Sequence, residues 1–306
     1  MILYLIACIC IAVLFGGAYY AYRTAFFSPM EGRERVIVPS GEKYEPYMDK
    51  IREFTRSLRE RPCEYVTVTS FDGLTLSGRY YHVKDGAPLG IGFHGYRSSG
   101  LNDFAGGSRM NFDMGHNLLL VDQRAHGKSQ GRTICFGIKE RQDLLSWVNY
   151  AVERFGKDVQ ILLYGVSMGG ATVLMASDME LPENVKGIVA DCPYASALEI
   201  IRHVGRNNPG PQWLIGPFAI LGAKIFGGFD LNETDAYRAV RNSRVPILII
   251  HGEADGFVPM KMSDLVLRNP EKVRRCTFPG ADHAFSYLVD ETRYRKLVKE
   301  FADKVL

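Results

Sequence analysis

Residues 158–178, DVQILLYGVSMGGATVLMASD, constrain the fold more than any other stretch. Val159, Ile161, Leu162, Leu163 and Tyr164 form an apolar run of strand formers, and Met168 to Ala176 read as a helix. Only a sharp turn fits between them, and it carries Gly165, Val166, Ser167, Met168 and Gly169. A serine on such a turn is held in a strained backbone conformation that lifts its Oγ off the sheet edge. Small residues two before and two after it let strand and helix pass closely. The bare pattern arises by chance in a chain with 31 glycines. The flanking strand and helix are what make Ser167 a candidate nucleophile.

From Tyr65 onward, strand and helix patterns alternate. Tyr65 to Thr69 and Leu74 to Tyr81 flank Phe71, Asp72 and Gly73 as a β-hairpin. Strands follow at 89–93, 117–121, 159–164, 185–190, 245–250 and 273–278, with helices near 101–114, 139–154, 260–268 and 287–304. A leading hairpin followed by βα units predicts an α/β fold with a mostly parallel, eight-stranded, doubly wound sheet flanked by helices. Sites in such sheets form at the carboxyl ends of strands. With 306 residues, 46% of them hydrophobic, the chain can bury one large α/β domain plus an appendage. The net charge of +3 and the absence of a basic run in the body give no reason to expect nucleic acid. Cys63, Cys135, Cys192 and Cys276 are isolated beside apolar segments, as free thiols in a reducing compartment would be, and no CxxC spacing marks a zinc site.

The N-terminus is a separate element. Met1 to Tyr22 carries no charged side chain and is long enough to cross a hydrocarbon core of about 30 Å as a helix. Tyr19, Tyr20 and Tyr22 gather at one end, where an interfacial aromatic belt would place them. The competing reading is a cleaved signal peptide. No Lys or Arg precedes the apolar run, and tyrosines stand where a small-residue cleavage site is needed. Residues 1–23 are therefore expected to be a single-pass transmembrane anchor. Arg23, Arg33 and Arg35 all follow the span, which places the body on the cytoplasmic side, and Glu31 and Glu34 count little in that rule. Residues 24–62 form a linker. Pro29, Pro39 and Gly41 break its first part, and Tyr47, Ile51, Phe54 and Leu58 recur at helical spacing before Pro62. This amphipathic helix is expected to pack on the body formed by residues 63–306.

Strand ends supply partners for Ser167. After the strand at 245 comes HGEAD, ending in Asp255, and after the strand at 273 comes PGADH, ending in His283. A serine hydroxyl is a poor nucleophile until a base takes its proton, and imidazole serves best when a carboxylate fixes its tautomer. Asp191, after the strand at 185, is the rival acid, although Cys192 and Pro193 begin a different excursion there. Taken singly, His283 could cap the last helix and Asp255 could be a turn residue. The backbone amides of Tyr96, in the loop after the strand at 89, and of Met168 are the candidate oxyanion donors. His94 is expected to brace that loop, and Asp122 and Arg124 to order the next one.

In that order, HGYRSSG, DQRAHGKSQG, GVSMGG, DCPYAS, HGEADGFVP and GADHAF resemble the α/β-hydrolase superfamily, most closely its membrane-anchored esterase and serine aminopeptidase-like branch. The resemblance covers about residues 63–306. It implies a Ser167, Asp255, His283 catalytic triad and carboxylesterase, thioesterase, lipase or peptidase activity. The segment from about 193 to 240 is too long for a simple connection and reads as a helical lid. Trp213, Leu214, Phe218, Ile220 and Leu221 make it apolar, as an acyl-binding surface would be. No acidic cluster marks a peptide amino-terminus site, and no metal, nucleotide or redox motif calls for a cofactor. The expectation is a membrane-anchored serine hydrolase acting on a small, apolar ester. The alternatives are a serine peptidase and a catalytically idle interaction module on the same fold.

Overall fold

The computed structural model describes residues 1–29, 42–206 and 212–306. Pro39, Gly41, Glu31, Arg33, Glu34 and Arg35 lie outside these residues, as do positions 207–211 of the segment expected to be a lid.

In chain order the elements begin with α1 (Ile2–Ala21), α2 (Met48–Glu60), β1 (Glu64–Thr69), β2 (Thr75–Tyr81) and β3 (Leu89–Phe93). Next come α3 (Gly100–Asp103), α4 (Ala105–Asp113), β4 (Asn117–Asp122), α5 (Glu140–Phe155) and β5 (Ile161–Val166). They are followed by α6 (Met168–Met175), β6 (Val185–Asp191), α7 (Ala197–Gly205), α8 (Ile215–Gly222) and α9 (Ala236–Asn242). The chain closes with β7 (Ile247–Gly252), β8 (Val273–Phe278), α10 (Ser286–Val289) and α11 (Glu291–Val305). The eight strands form one sheet in the order β1-β2-β4-β3-β5-β6-β7-β8. β2 runs antiparallel to both β1 and β4, and every other pairing is parallel.

Helices cover both faces, so the central strands are apolar along their whole length and alternate residues serve different cores. Leu119, Ile161, Leu163, Ile188 and Ile249 face α5, α6 and α9, whose Trp147, Val148, Val173 and Val240 are buried against them. Leu118, Leu162, Tyr164, Val189 and Leu248 face the opposite layer, which contains Met110, Val298 and Ala302. The amphipathic helix α2 joins that layer through Phe54 and Leu58, both buried. A third core lies above the strand ends, where Phe136, Met168 and Tyr194 meet the helices between β6 and β7.

The sequence reading differs from the structure at 260–268. Instead of a helix there are two 3-10 turns, Met260–Ser263 and Val266–Arg268, separated at Asp264 (φ −79°, ψ 76°). Pro259 and Pro270 bracket the segment, leaving too few residues to offset helix nucleation.

Helix α1 continues through a π-type turn, Tyr22–Phe26, and this 25-residue element is long and apolar enough to cross a membrane. A signal sequence passes the same test of length and composition. Its first fifteen residues are exposed, but its far end enters the third core. Ala18 and Phe26 are fully buried, and the Phe26 ring meets Phe136 and Phe229 edge-on at 5.6 and 5.4 Å. The Ile134 N–H donates to the Phe26 carbonyl, and the Ser28 N–H to the Arg132 carbonyl.

Candidate active site

The turn between β5 and α6 is strained as the sequence predicted. Ser167 sits at φ 55°, ψ −113°, a left-handed conformation that a side chain rarely adopts, and its N–H donates to the Asp191 carbonyl at 2.8 Å. A Cβ on Gly165 would collide with the Gly169 carbonyl, and one on Gly169 with the Phe93 carbonyl. Glycine at both positions is what lets α6 start against β3 and β5.

Ser167, Asp255 and His283 meet at the carboxyl edge of the sheet. The Ser167 Oγ lies 2.9 Å from His283 Nε2, and His283 Nδ1 lies 2.7 Å from Asp255 Oδ2. A carboxylate only accepts, so Nδ1 carries a hydrogen and a neutral ring leaves Nε2 free to accept from the hydroxyl. Asp255 Oδ1 accepts from the Phe257 and Val258 N–H groups at 2.9 and 2.7 Å. Burial drives the Asp255 carboxyl upward, but hydrogen bonds from His251 and His283 and the attraction of His283 outweigh it and hold the group well below the usual carboxylate range. Asp255 is therefore charged where an imidazolium would need it.

Asp191, the rival acid, faces elsewhere. Its Oδ2 accepts from the Tyr294 hydroxyl at 3.0 Å, and burial pushes it up to about 6 against that bond's pull. Cys192 Sγ is 4.0 Å from His283 Nε2, but burial raises the thiol well above its ordinary value, which disfavours the thiolate that a sulfur nucleophile needs.

The loop carrying Tyr96 is held on several sides. Its Gly95 N–H donates to Asp103 Oδ2 at 2.6 Å. His94 Nε2 accepts from the Gln123 N–H and its Nδ1 donates to the Gly95 carbonyl, so His94 braces the loop. His126 Nε2 accepts from the Arg97 N–H. A Cβ on Gly95 would stand 3.4 Å from the Ser167 Cβ, which puts this turn against the serine. Among the described residues, neither the Tyr96 nor the Met168 amide donates to a protein acceptor. Met168 heads α6, where the first N–H groups have no intrahelical partner. The Met168 side chain is buried in the third core, whereas the Tyr96 hydroxyl donates to the Ala25 carbonyl at 2.8 Å. Arg124 is buried between Asp143 and Asp72 at 2.6 and 3.0 Å and orders its loop.

Three neighbours went unnoticed in the sequence. His251, fully buried, places Nε2 2.9 Å from the Val258 carbonyl and 3.2 Å from Asp255 Oδ2, so its N–H is shared between them. Asp282 accepts from the His283 and Gly256 N–H groups and pairs with Lys43 at 2.6 Å, tying the two loops and the linker together. Phe257 stacks near His283, ring centroids 5.1 Å apart. All three sit within four residues of Asp255 or His283, the only signal that pointed to them. Cys192 Sγ, an Asp255 oxygen and a His283 nitrogen lie within 4.8 Å of one another and would be the donors open to a metal ion. An ion there would have to displace the hydrogen bond at whichever His283 nitrogen it took, to Asp255 at Nδ1 or to Ser167 at Nε2.

Ser167 opens into a cavity of about 560 Å³. Ile200, Ile201 and Val204 of α7, with Ile215, Phe218 and Ala219 of α8, form one side. Tyr96, Phe136, Tyr194 and Phe257 form the base. Tyr194 donates its hydroxyl to the Phe136 carbonyl at 3.1 Å, as Tyr96 does to Ala25, so the base offers little to a polar ligand.

A family model described as alpha/beta hydrolase fold matches residues 92–232. The Bacillus subtilis protein named uncharacterized protein YqkD is 29% identical over 197 residues, 63% of this chain, and the chain spans 64% of that relative's length. The Pyrococcus furiosus esterase Pf2001 superposes with a TM-score of 0.66 at 22% identity, covering 89% of this chain and 97% of that one. Est1E from Butyrivibrio proteoclasticus, solved with ferulic acid bound, gives 0.59 at 22% identity and covers 78% and 99%. At these identities the structural likeness speaks for the fold. With its sheet order, its strained serine turn and the matched stretch, the chain has the α/β-hydrolase fold.

Proposed function

We propose that the chain is a membrane-anchored serine hydrolase that cleaves carboxylic esters of apolar acids. The observation carrying this reading is the chain of contacts from Ser167 Oγ through His283 to Asp255, facing a cavity whose lining is mostly apolar. In the first step the Ser167 Oγ bonds to the ester carbonyl carbon while its proton passes to His283 Nε2. The tetrahedral oxyanion accepts from the Tyr96 and Met168 amides. The carbon–alkoxide bond then breaks, and the leaving alcohol takes the proton from His283. Water next attacks the acyl-enzyme, gives its proton to His283, and the Ser167 oxygen regains one as the acid leaves.

Two further points favour the ester. Among the described residues no carboxylate lines the cavity, so a peptide's terminal ammonium would find no partner there. Neighbours in fold include proteins named as esterases. The anchor is favoured over a cleaved signal because the end of α1 is part of the buried core, through Ala18 and Phe26. Ser167→Ala is expected to abolish covalent labelling by a fluorophosphonate probe and all turnover of p-nitrophenyl esters. Labelling that persists in that variant would sink the assignment, and faster Ser167-dependent cleavage of aminoacyl amides than of matched esters would move it to a peptidase.

A further inference from the structure

The cavity above Ser167 has a wall that does not belong to the hydrolase domain. Gly16, Gly17, Tyr20, Ala21, Thr24 and Ala25, all on α1 and the turn that continues it, line the same space as Ser167. This wall is fixed in place. The Gly222 of α8 lies so close that a Cβ there would strike the Ala18 carbonyl, and a Cβ on Gly17 would fall 2.6 Å from the Phe218 ring. Tyr22 and Tyr19 meet Phe226, just beyond α8, at 5.9 and 5.3 Å. Arg97 Nη2 donates to the Thr24 and Phe27 carbonyls.

The surface around the opening is apolar as well. Tyr20, 69% exposed, and Phe257, 46%, line the cavity, and Trp213, 76% exposed, precedes the lining residue Leu214. The outer turns of α1 present Leu3, Leu5, Ile6 and Ile9 to the surroundings. Bare apolar surface of this extent needs a covering, and on a helix that can span a bilayer that covering is lipid. Tyrosine and tryptophan near the mouth suit the level of the headgroups. The Thr24 hydroxyl is turned to the Tyr20 carbonyl at 2.9 Å, so this wall presents little to a polar group.

We infer that α1 is part of the substrate site, and that the acyl chain of a single-chain lipid ester passes from the bilayer into the Ser167 cavity along the seam between α1 and α8. The inference rests on the serine-hydrolase reading. A chain taking this route stays in apolar surroundings while its ester group reaches Ser167 at the inner end. The leaving alcohol is the lipid's headgroup fragment, released with the proton from His283.

The test uses the full-length protein in phosphatidylcholine vesicles, with rates expressed per site labelled by a small fluorophosphonate. The first readout is the ratio of kcat/KM for p-nitrophenyl palmitate to that for the acetate. Ala21→Phe fills the wall beside the cavity. Gly16→Leu adds bulk at an exposed position lining the cavity, where a Cβ meets no atom within 4 Å. Both are expected to lower the ratio by about tenfold, the scale at which a pocket discriminates by bulk. The second readout compares 1-palmitoylglycerol in the vesicle with water-soluble palmitoyl coenzyme A, and the bilayer ester should be hydrolysed faster. An unchanged ratio in both variants would overturn the role of α1 while leaving the hydrolase reading intact. Faster cleavage of the soluble thioester would overturn the bilayer as source. Absence of Ser167-dependent turnover on every substrate would overturn both the inference and the reading beneath it.

Discussion

Asp191 offers a stability test that does not pass through activity. It ends β6 with its carboxyl buried. Tyr294 donates to Oδ2, and Oδ1 has no hydrogen-bond partner among the described residues. Burial raises it from an ordinary value of 3.8 to about 6, against the lowering effect of Tyr294, His251 and His283. The unfolded chain therefore loses this proton first as pH rises. Between about pH 4 and pH 6 the unfolded state binds fewer protons than the folded one, so stability falls with increasing pH. The contribution is complete below pH 4 and gone above pH 6. A rise of about 2 at 1.36 kcal/mol each amounts to about 3 kcal/mol. Asp191→Asn stays neutral throughout and keeps an oxygen for Tyr294. Urea unfolding of both proteins, full length in detergent micelles, should give a free-energy difference that shifts by about 3 kcal/mol in favour of the variant between pH 4 and pH 6.5, then levels off. Asp255, whose carboxyl is lowered, loses stability in the opposite direction as pH falls below 4, but it is common to both proteins and cancels. Parallel curves across the range would refute the argument, because they would mean that Asp191 folds as a carboxylate at no cost.

Asp255→Asn keeps the size of the side chain but removes the charge that holds His283 in the required tautomer. It should lower kcat on p-nitrophenyl esters by about 10³- to 10⁴-fold with little change in KM, and a loss below tenfold would remove Asp255 from its proposed role. Arg124→Met leaves Asp143 buried without the cation bonded to it at 2.6 Å. It should cost about 3–5 kcal/mol in urea unfolding at pH 7, and a cost below about 1 kcal/mol would show that Asp143 finds another partner or water.

The sheet was legible because its physics is written locally. Leu118 to Val121 and Ile161 to Tyr164 are apolar without a break, which only a strand covered on both faces allows, and each run ends where a loop must turn. Ser167, Asp255 and His283 could be assigned to one edge for the same reason, since parallel strands deliver their carboxyl ends together. The distances among them could not be read, nor could the shared hydrogen of His251 or the bridge from Asp282 to Lys43. Those depend on how loops of β7 and β8 settle against each other and against a linker more than 200 residues away in sequence. The segment 260–268 shows a local failure. Its apolar spacing suggests a helix, yet two prolines and the turn at Asp264 leave only 3-10 geometry.

Helix α1 was hidden for a different reason. Its residues are apolar on every side, so no periodicity marks which of them pack against the domain and which stay exposed. A sequence reading naturally separates such a segment from the body at about residue 23 and treats the rest as self-sufficient. The turn that continues α1 nonetheless packs into the third core. Phe26 meets Phe136 and Phe229, Tyr96 and Arg97 bond to the carbonyls of residues 24, 25 and 27, and Tyr96 follows Gly95, whose turn stands against the serine. Cutting the chain at residue 23 would remove Gly16, Gly17, Tyr20 and Ala21 from the cavity and expose Phe218 and Gly222 of α8 to water. The same contacts that seat the helix on the domain also orient the loop beside Ser167. The helix that is long and apolar enough to cross a membrane and a wall of the Ser167 cavity are then one piece of structure, and a body cut at residue 23 would carry an altered cavity.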